Sequence, residues 1–217
     1  MTVSSGTIAV MRAGLVEYEE ALAMQRQFHN EIAEGDRPNS LILIEHPPVY
    51  TAGRRTENSD RPIDGTKVIE VDRGGKITFH GPGQLVGYPI VKLAEPLDVV
   101  GFVRVLESAL IQVCNEYQIS AERFPGRSGV WIRDEKGDRK IAAIGIRVAR
   151  GVTMHGFALN VSTDLSYFNR IVPCGIPDAD VTSLCKELGR EITIADVSPT
   201  VERFIHDALE EVTNGRS

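Results

Sequence analysis

Cys174 lies between Pro173 and Gly175, away from any amphipathic stripe, and a thiol in such a setting can act as a nucleophile. Most solitary cysteines are small buried hydrophobes. The Pro-Cys-Gly context points instead to a loop, and loops on rigid scaffolds carry function disproportionately. The reactive form is the thiolate, which a nearby Lys, Arg or protonated His stabilises by lowering the thiol pKa. Three residues could do this: Lys140, at the head of the apolar segment 141–148, and His80 and His155, each followed directly by Gly. A lysine so placed ordinarily snorkels to water. Held in a half-buried pocket, its ammonium can stabilise a thiolate and move protons. Either histidine could equally be a satisfied core residue. None of these groups has the spacing of a zinc ligand set.

A second concentration of chemistry is Arg73-Gly74-Gly75-Lys76-Ile77-Thr78-Phe79-His80-Gly81-Pro82-Gly83-Gln84. Glycines there let the backbone turn tightly or approach a ligand closely. The run has neither the GxGxxG order of a dinucleotide fold nor the GxxxxGK[ST] order of a P-loop. Without a ligand it reads as a twisted hairpin with glycine bulges.

These residues need a scaffold. The 217 residues fit one domain, 1–217, with 42% hydrophobic and 25% charged residues. The net charge of −6 argues against nucleic acid as a partner. Residues 123–150 depart from that balance, with eight Lys or Arg against three acids, a patch suited to an acidic partner or simply a solvated hairpin. Three cysteines without a CxxC pair fit free thiols in a reducing compartment. No stretch reaches transmembrane length and the N-terminus has no long apolar run, so the expected location is cytoplasmic, with no membrane partner.

Leu15, Tyr18, Leu22, Phe28 and Ile32 recur near helical spacing and predict a helix over 16–34, ended by Gly35 and Pro38. Residues 41–44 predict a strand covered on both faces. Residues 46–55 read as a loop because Pro47 and Pro48 interrupt a ladder, and 56–66 as a polar surface loop. Strands are expected at 68–71 and 85–90. A helix starts at Asp98 with Val99, Phe102, Val103, Leu106, Leu110, Val113 and Tyr117 on one face, and Cys114 packs beside them. Segments 129–133 and 140–148 form a hairpin around a longish charged loop, 134–139. Another strand covers 152–161, 171–177 is a loop, and a short helix near 181–188 packs Cys185. Ser198-Pro199 caps the last helix, which runs to about Thr213. The order predicts an α/β (α+β type) fold: a mixed, largely antiparallel sheet flanked by helices.

Five motifs occur in order: Glu45-His-Pro-Pro-Val-Tyr-Thr-Ala-Gly-Arg, the run from Arg73 to Pro89, Lys140-Ile-Ala-Ala-Ile-Gly, His155-Gly-Phe-Ala-Leu-Asn and Pro173-Cys-Gly-Ile. Together, over roughly residues 40–190, they closely resemble the lipoyl(octanoyl) transferases. The resemblance implies the fold of the biotin and lipoate protein ligase catalytic domain. It implies transfer of an octanoyl group from the phosphopantetheine thioester of acyl carrier protein to a lysine of a lipoyl domain, as in 2-oxo-acid dehydrogenase E2 subunits and the glycine cleavage H protein, the first step of endogenous lipoate assembly. It matches the family's cysteine to Cys174 and its lysine to Lys140. The acyl-binding segments become Arg73, Gly74, Gly75, Lys76, Ile77, Thr78, Phe79 and His80; Ala143, Ile144 and Gly145; and Gly156, Phe157 and Ala158. Gly74, Gly75, Ala143 and Gly156 would leave room for the chain, and backbone N–H groups near Gly75, Gly145 or Gly175 would hold an oxyanion. A thioester donor is already activated, so neither ATP nor a metal is expected as a cofactor. The basic segment would dock the acidic carrier through Arg139, Arg147 and Arg150. Ala142-Ala143 stands where relatives often carry a Ser. The competing expectations are an ATP-dependent lipoate or biotin ligase on the same fold and an inert protein that binds acyl chains or lipoyl domains.

Overall fold

A computed structural model describes residues 8–63, 65–171 and 179–213. The elements run β1 (Ala9–Leu15), α1 (Tyr18–Glu34), β2 (Ser40–Glu45), β3 (Val49–Ala52), β4 (Val68–Glu70), β5 (Thr78–His80), β6 (Gln84–Ile90), α2 (Val99–Glu116), β7 (Glu122–Phe124), β8 (Arg127–Asp134), β9 (Gly137–Ala149), β10 (Val152–Asn160), β11 (Asp180–Val181), α3 (Leu184–Leu188) and α4 (Ile194–Thr213). The large sheet is ordered β1-β2-β6-β10-β9-β8-β7, with β11 added to β9. The β1–β2 and β11–β9 pairs are parallel and the others antiparallel, as the predicted mixed sheet requires. A second sheet, β4-β3-β5, stands apart from it.

Two apolar layers sandwich the large sheet, and β2 shows why. Leu41 and Leu43 join the cluster formed by α2 and α4, while Ile42 and Ile44 join the cluster under α1. The period-2 alternation of a strand sends successive side chains to opposite faces, so a strand covered twice is apolar throughout. On α2, Phe102, Leu106, Leu110, Val113 and Cys114 are buried, and Asp98 caps the helix by accepting from the Gly101 N–H at 2.7 Å. Val99, placed on that stripe by spacing, is exposed. No helix among the described residues is long and apolar enough to cross a membrane.

Several boundaries differ from those read in the sequence. Leu15 belongs to β1 and is exposed, so the helix begins at Tyr18. Residues Val49–Ala52 form a strand: the two prolines precede it and leave its ladder intact. The glycine run is not a hairpin either. β4 and β5 flank β3 on opposite sides, and β6 belongs to the other sheet. The polar segment 56–66 contains a short 3-10 turn, Asn58–Asp60, whose Asp60 is buried. In the β8–β9 hairpin Asp134 pairs with Gly137, leaving Glu135-Lys136 as a two-residue turn in place of a long loop. The last helix begins at Ile194, because Thr193 and Asp196 cap each other before Ser198 is reached. Pro199 therefore sits inside the helix, and Ser198 Oγ donates to Ile194 O at 2.7 Å.

Candidate active site

Lys140 owes its direction to a β-bulge. Val130 pairs with Ala142 but Trp131 pairs with Lys140, so Ile141 is an extra residue on β9. An extra residue reverses the alternation beyond it. Ile141 and Ala142 both pack into the α2/α4 core, and Lys140 emerges with Ala143 and Gly145 along the cavity beneath α1. Only 7% exposed, its ammonium lies 4.6 Å from the Trp131 ring centre, a cation–π contact worth about 0.5–2 kcal/mol. Among the described residues no carboxylate pairs with it. A buried ammonium without a counter-ion is costly unless a partner anion is supplied. Lys140 is thus buried against the cavity and does not snorkel to water.

The cavity measures about 230 Å³ and follows the β9–β10 ladder, where Ala143 faces Ala158 and Gly145 faces Gly156. Val86 and Tyr88 of β6, Tyr18 of α1, Ile144 and Phe157 complete its interior, and Arg55, Arg73, Gly75, Lys76 and the 126–128 turn lie around it. Thr78 and His80 line it as well. Ile77 and Phe79, expected to bind substrate, do not. Both are buried in a separate cluster with Tyr50, Phe168 and Ile171, and Phe79 stacks on Tyr167 at 4.5 Å. A contiguous motif in an extended chain must split between two faces, and only alternate residues reach the cavity.

The glycine run is fixed from within by Arg73. Its guanidinium, almost fully buried, donates to Gly74 O and Lys76 O at 3.0 and 2.8 Å and to Thr51 O and Thr51 Oγ1 at 2.8 and 2.9 Å. Gly74 N–H is spent on Ile146 O at 3.0 Å, which ties the run to β9. Lys76 directs its ammonium to Glu57 and Asp60. A buried hydrogen-bond chain continues from Arg73 through Thr51, His80, Gln84 and Asn160 to Thr182 O. Thr182 N–H in turn donates to Lys140 O at 2.9 Å. The polar network thus joins the glycine run to the strand of Lys140. Thr182 lies outside the motifs read in the sequence, and Thr51, Gln84 and Asn160 lie inside them without an assigned role. Their one signal is polarity at positions flanked by apolar strand residues.

His80 is part of this scaffold and not a cation. Burial, with smaller contributions from His46 and Arg73, pushes its imidazole down to about 3, while the hydrogen bond to Gln84 opposes the shift. It is neutral at pH 7, which removes it as the charged activator of a thiolate. Because the folded pKa lies below the ordinary value of about 6.5, the folded protein binds fewer protons than the unfolded chain between those limits. Stability should hold above pH 6.5 and fall on acidification toward pH 3, by about 1.4 kcal/mol per pH unit from this group. Urea titrations across that window should show a shallower slope for His80→Gln. An unchanged slope would contradict the assignment.

His155 occupies the opposite end of the cavity from Lys140, six residues along the ladder, where it pairs with Ile146. Its Nε2 is hydrogen-bonded to Asp72 Oδ1 at 2.8 Å, and Arg147 pairs with the same carboxylate at 3.2 Å. Burial lowers its pKa against the pull of Asp72. Its backbone has φ of 58°. The register places it across from Pro89, which has no N–H to continue the β6–β10 ladder, and Gln25 Oε1 accepts the His155 N–H at 3.0 Å. The cavity thus brings Lys140 together with Thr78, His80, Ala143, Gly145, Gly156 and Ala158, and both histidines that line it are held by hydrogen bonds, His80 to Gln84 and His155 to Asp72.

Gly156, expected to make room for a ligand, makes room for the protein, and so does Gly145 in the second expected acyl-binding segment. A Cβ on Gly156 would stand 2.0 Å from Gly87 O and 2.6 Å from Pro89 Cδ, and one on Gly145 would stand 2.9 Å from Arg73 Cδ. Gly156→Ala therefore forces two backbones apart and should cost roughly 3 kcal/mol, the upper range for overpacking. A urea midpoint lowered with unchanged slope would record it. The arginines of the expected carrier patch all carry carboxylate partners. Arg139 is buried and paired with Asp134 and Glu187 at 2.7 and 3.0 Å, while Arg147 pairs with Asp72 and Arg150 with Glu34. Arg123, Arg133, Arg139, Arg147 and Arg150 of this segment each pair with a carboxylate outside it, while Lys140 does not among the described residues.

Cys174 and Gly175 lie outside the described residues. The chain on the far side of that segment is fixed: β11 pairs Asp180 with Arg139 and Val181 with Lys140. It takes the β10 side of β9, since β8 holds the other and β10 reaches only to Ala142.

The family model for the lipoyl protein ligase A/B catalytic domain matches residues 17–206. The chain is 57% identical over 212 residues to an octanoyltransferase of Salinispora tropica, covering 97% of this chain and all of that protein. It is 61% identical over 195 residues to an octanoyltransferase of Acidothermus cellulolyticus, covering 89% and 88%. Among solved structures, the bipartite lipoate protein ligase of Thermoplasma acidophilum, studied with its E2 lipoyl domain, superposes with a TM-score of 0.70 at 15% identity, covering 94% of this chain and 84% of that one. At that identity the likeness concerns the fold.

Proposed function

The chain belongs to the lipoyl protein ligase A/B catalytic domain family, among its octanoyltransferases, and is an acyltransferase of protein lipoylation; we propose that it moves the octanoyl group from the phosphopantetheine thioester of acyl carrier protein to Cys174, and from Cys174 to a lysine of a lipoyl domain. The observation that carries this route is the pairing of β11 with Arg139–Lys140. Cys174 is six residues from Asp180, a tether of at most about 20 Å when extended, so the thiol can reach the ammonium of Lys140.

In the first half-reaction the Cys174 thiolate attacks the thioester carbonyl. The bond from carbon to the donor sulfur breaks, and the departing thiolate takes a proton from the Lys140 ammonium. The octanoyl chain then lies along Ala143, Ile144, Phe157, Ala158 and Val86, where burial supplies about 0.8 kcal/mol per methylene. In the second half-reaction the target lysine arrives as an amine, having shed one proton to water from an ammonium of ordinary pKa about 10.4. Its nitrogen attacks the Cys174 thioester, the carbon–sulfur bond breaks, and neutral Lys140 accepts the remaining surplus proton. Thiolate and ammonium are both restored. The two protons lost by the incoming ammonium are thus assigned, one to water and one to Lys140, which had given its own to the donor thiol.

The thioester carries the activation energy, so this route calls for neither ATP nor a metal. A ligase on the same fold would first make an acyl-adenylate from free acid. Octanoyl-carrier protein without ATP should octanoylate a lipoyl domain, and free octanoate with ATP should not. The reverse pattern would replace this route with the ligase one.

A further inference from the structure

The cavity's mouth carries a cation that neither the fold nor the proposed chemistry uses. Arg55 is exposed and lines the cavity, and among the described residues no carboxylate pairs with it. Arg12, Arg61, Arg133 and Arg203 are surface arginines engaged by a carboxylate; Arg26, Arg54 and Arg190 are exposed without an ion pair among the described residues, but they do not line this cavity. Its base is rigid: Arg55 N–H donates to Gly75 O at 3.1 Å, and Gly74 N–H donates to Ile146 O at 3.0 Å. No Asp or Glu lines the cavity, and the nearest carboxylates along the chain, Glu57 and Asp60, are occupied by Lys76. A free guanidinium on a fixed loop, at the lip of a cavity without carboxylates, is suited to an anion, and its planar fork suits phosphate oxygens in particular.

We infer that Arg55 binds the phosphodiester of the donor's phosphopantetheine arm, an inference that rests on the donor route proposed above. The spacing agrees. Ile146, which holds the loop below Arg55, is six residues from Lys140 along β9, about 20 Å of strand. The arm from phosphorus to sulfur is four to five residues' worth of extended chain, about 15 Å, which the inward reach of the two long side chains matches. With sulfur at the Lys140 end and the octanoyl chain against the Ala143–Ala158 ladder, the arm runs along the lip formed by Lys76 and Gly75, and the phosphate lies at the Arg55 end.

The test compares three donors in single-turnover acylation: octanoyl-carrier protein, octanoyl-4′-phosphopantetheine and octanoyl-pantetheine. Wild type should favour the phosphorylated small donor over the unphosphorylated one by about tenfold in kcat/KM, the effect of one charge-assisted contact at a partly exposed site. Arg55→Ala should abolish that preference while leaving octanoyl-pantetheine unchanged, and Arg55→Lys should keep part of it. A preference that survives in Arg55→Ala, or a defect seen with carrier protein alone, would overturn the phosphate site, the latter by assigning Arg55 to the carrier's protein surface. Failure of all three donors to acylate wild type would overturn the donor route itself.

Discussion

Cys174→Ala should abolish octanoyl transfer, lowering kcat by about 10⁴-fold or more, the scale seen when a covalent nucleophile is removed. The other two thiols cannot substitute. Cys114 is fully buried in the α2/α4 core, where burial pushes its thiol up to about 12. Cys185 Sγ is engaged with the backbone of Ile192, at 3.4 Å from its carbonyl oxygen and 3.3 Å from its nitrogen. Mass analysis of a lipoyl-domain acceptor incubated with octanoyl-carrier protein reads the effect directly. A variant within tenfold of wild type would mean that the octanoyl group passes from donor to acceptor without this residue.

Lys140→Ala should lower kcat by about 10²–10⁴-fold, because the proposed route uses one ammonium as acid in the first half-reaction and, once neutral, as base in the second. The same change should slow alkylation of Cys174 near neutral pH, since the thiolate loses the cation that favours it. Lys140→Arg separates the two duties. A guanidinium keeps the positive charge but does not give up a proton, so alkylation should stay closer to wild type while transfer is lost. Equal alkylation rates in wild type and Lys140→Ala would contradict the pairing of the two residues. Loss of the Trp131 contact should be a minor part of the change, since an isolated cation–π pair contributes about 0.5–2 kcal/mol.

The periodic elements are the ones legible in the amino-acid sequence. The run Leu41-Ile42-Leu43-Ile44 is apolar because two helical layers cover β2, and Asp98 is a cap with its hydrogen bond in place. β1 escapes such a reading: Ala9–Leu15 exposes Met11 and Leu15 and is a strand because β2 pairs with it, about thirty residues later in the chain. Val49–Ala52 escapes for a related reason, since its partners β4 and β5 make a small sheet that no local pattern announces.

The site shows the same division between local and tertiary information. Lys140 is visible as a cation heading an apolar strand, but its entry into the cavity depends on one inserted residue, Ile141, that shifts the β8–β9 register. The Arg73–His80 motif is contiguous in sequence, yet its inner half divides by alternation, with Thr78 and His80 on the cavity and Ile77 and Phe79 in a separate core. Charge counting fails at Arg139, because its partners Asp134 and Glu187 bury it. Arg55 makes the converse point: it sits next to Arg54 in an unremarkable loop, and only its position over Gly75 at the cavity's edge distinguishes it.

The covalent route is tested most directly by intact-mass analysis of the enzyme after brief mixing with octanoyl-carrier protein and no acceptor. Wild type should gain a single octanoyl group, Cys174→Ala should gain none, and adding a lipoyl domain should discharge the adduct as the acceptor gains mass. An adduct that persists on Cys174→Ala, or acceptor octanoylation by wild type with no acyl-enzyme that forms and decays at a competent rate, would contradict the account.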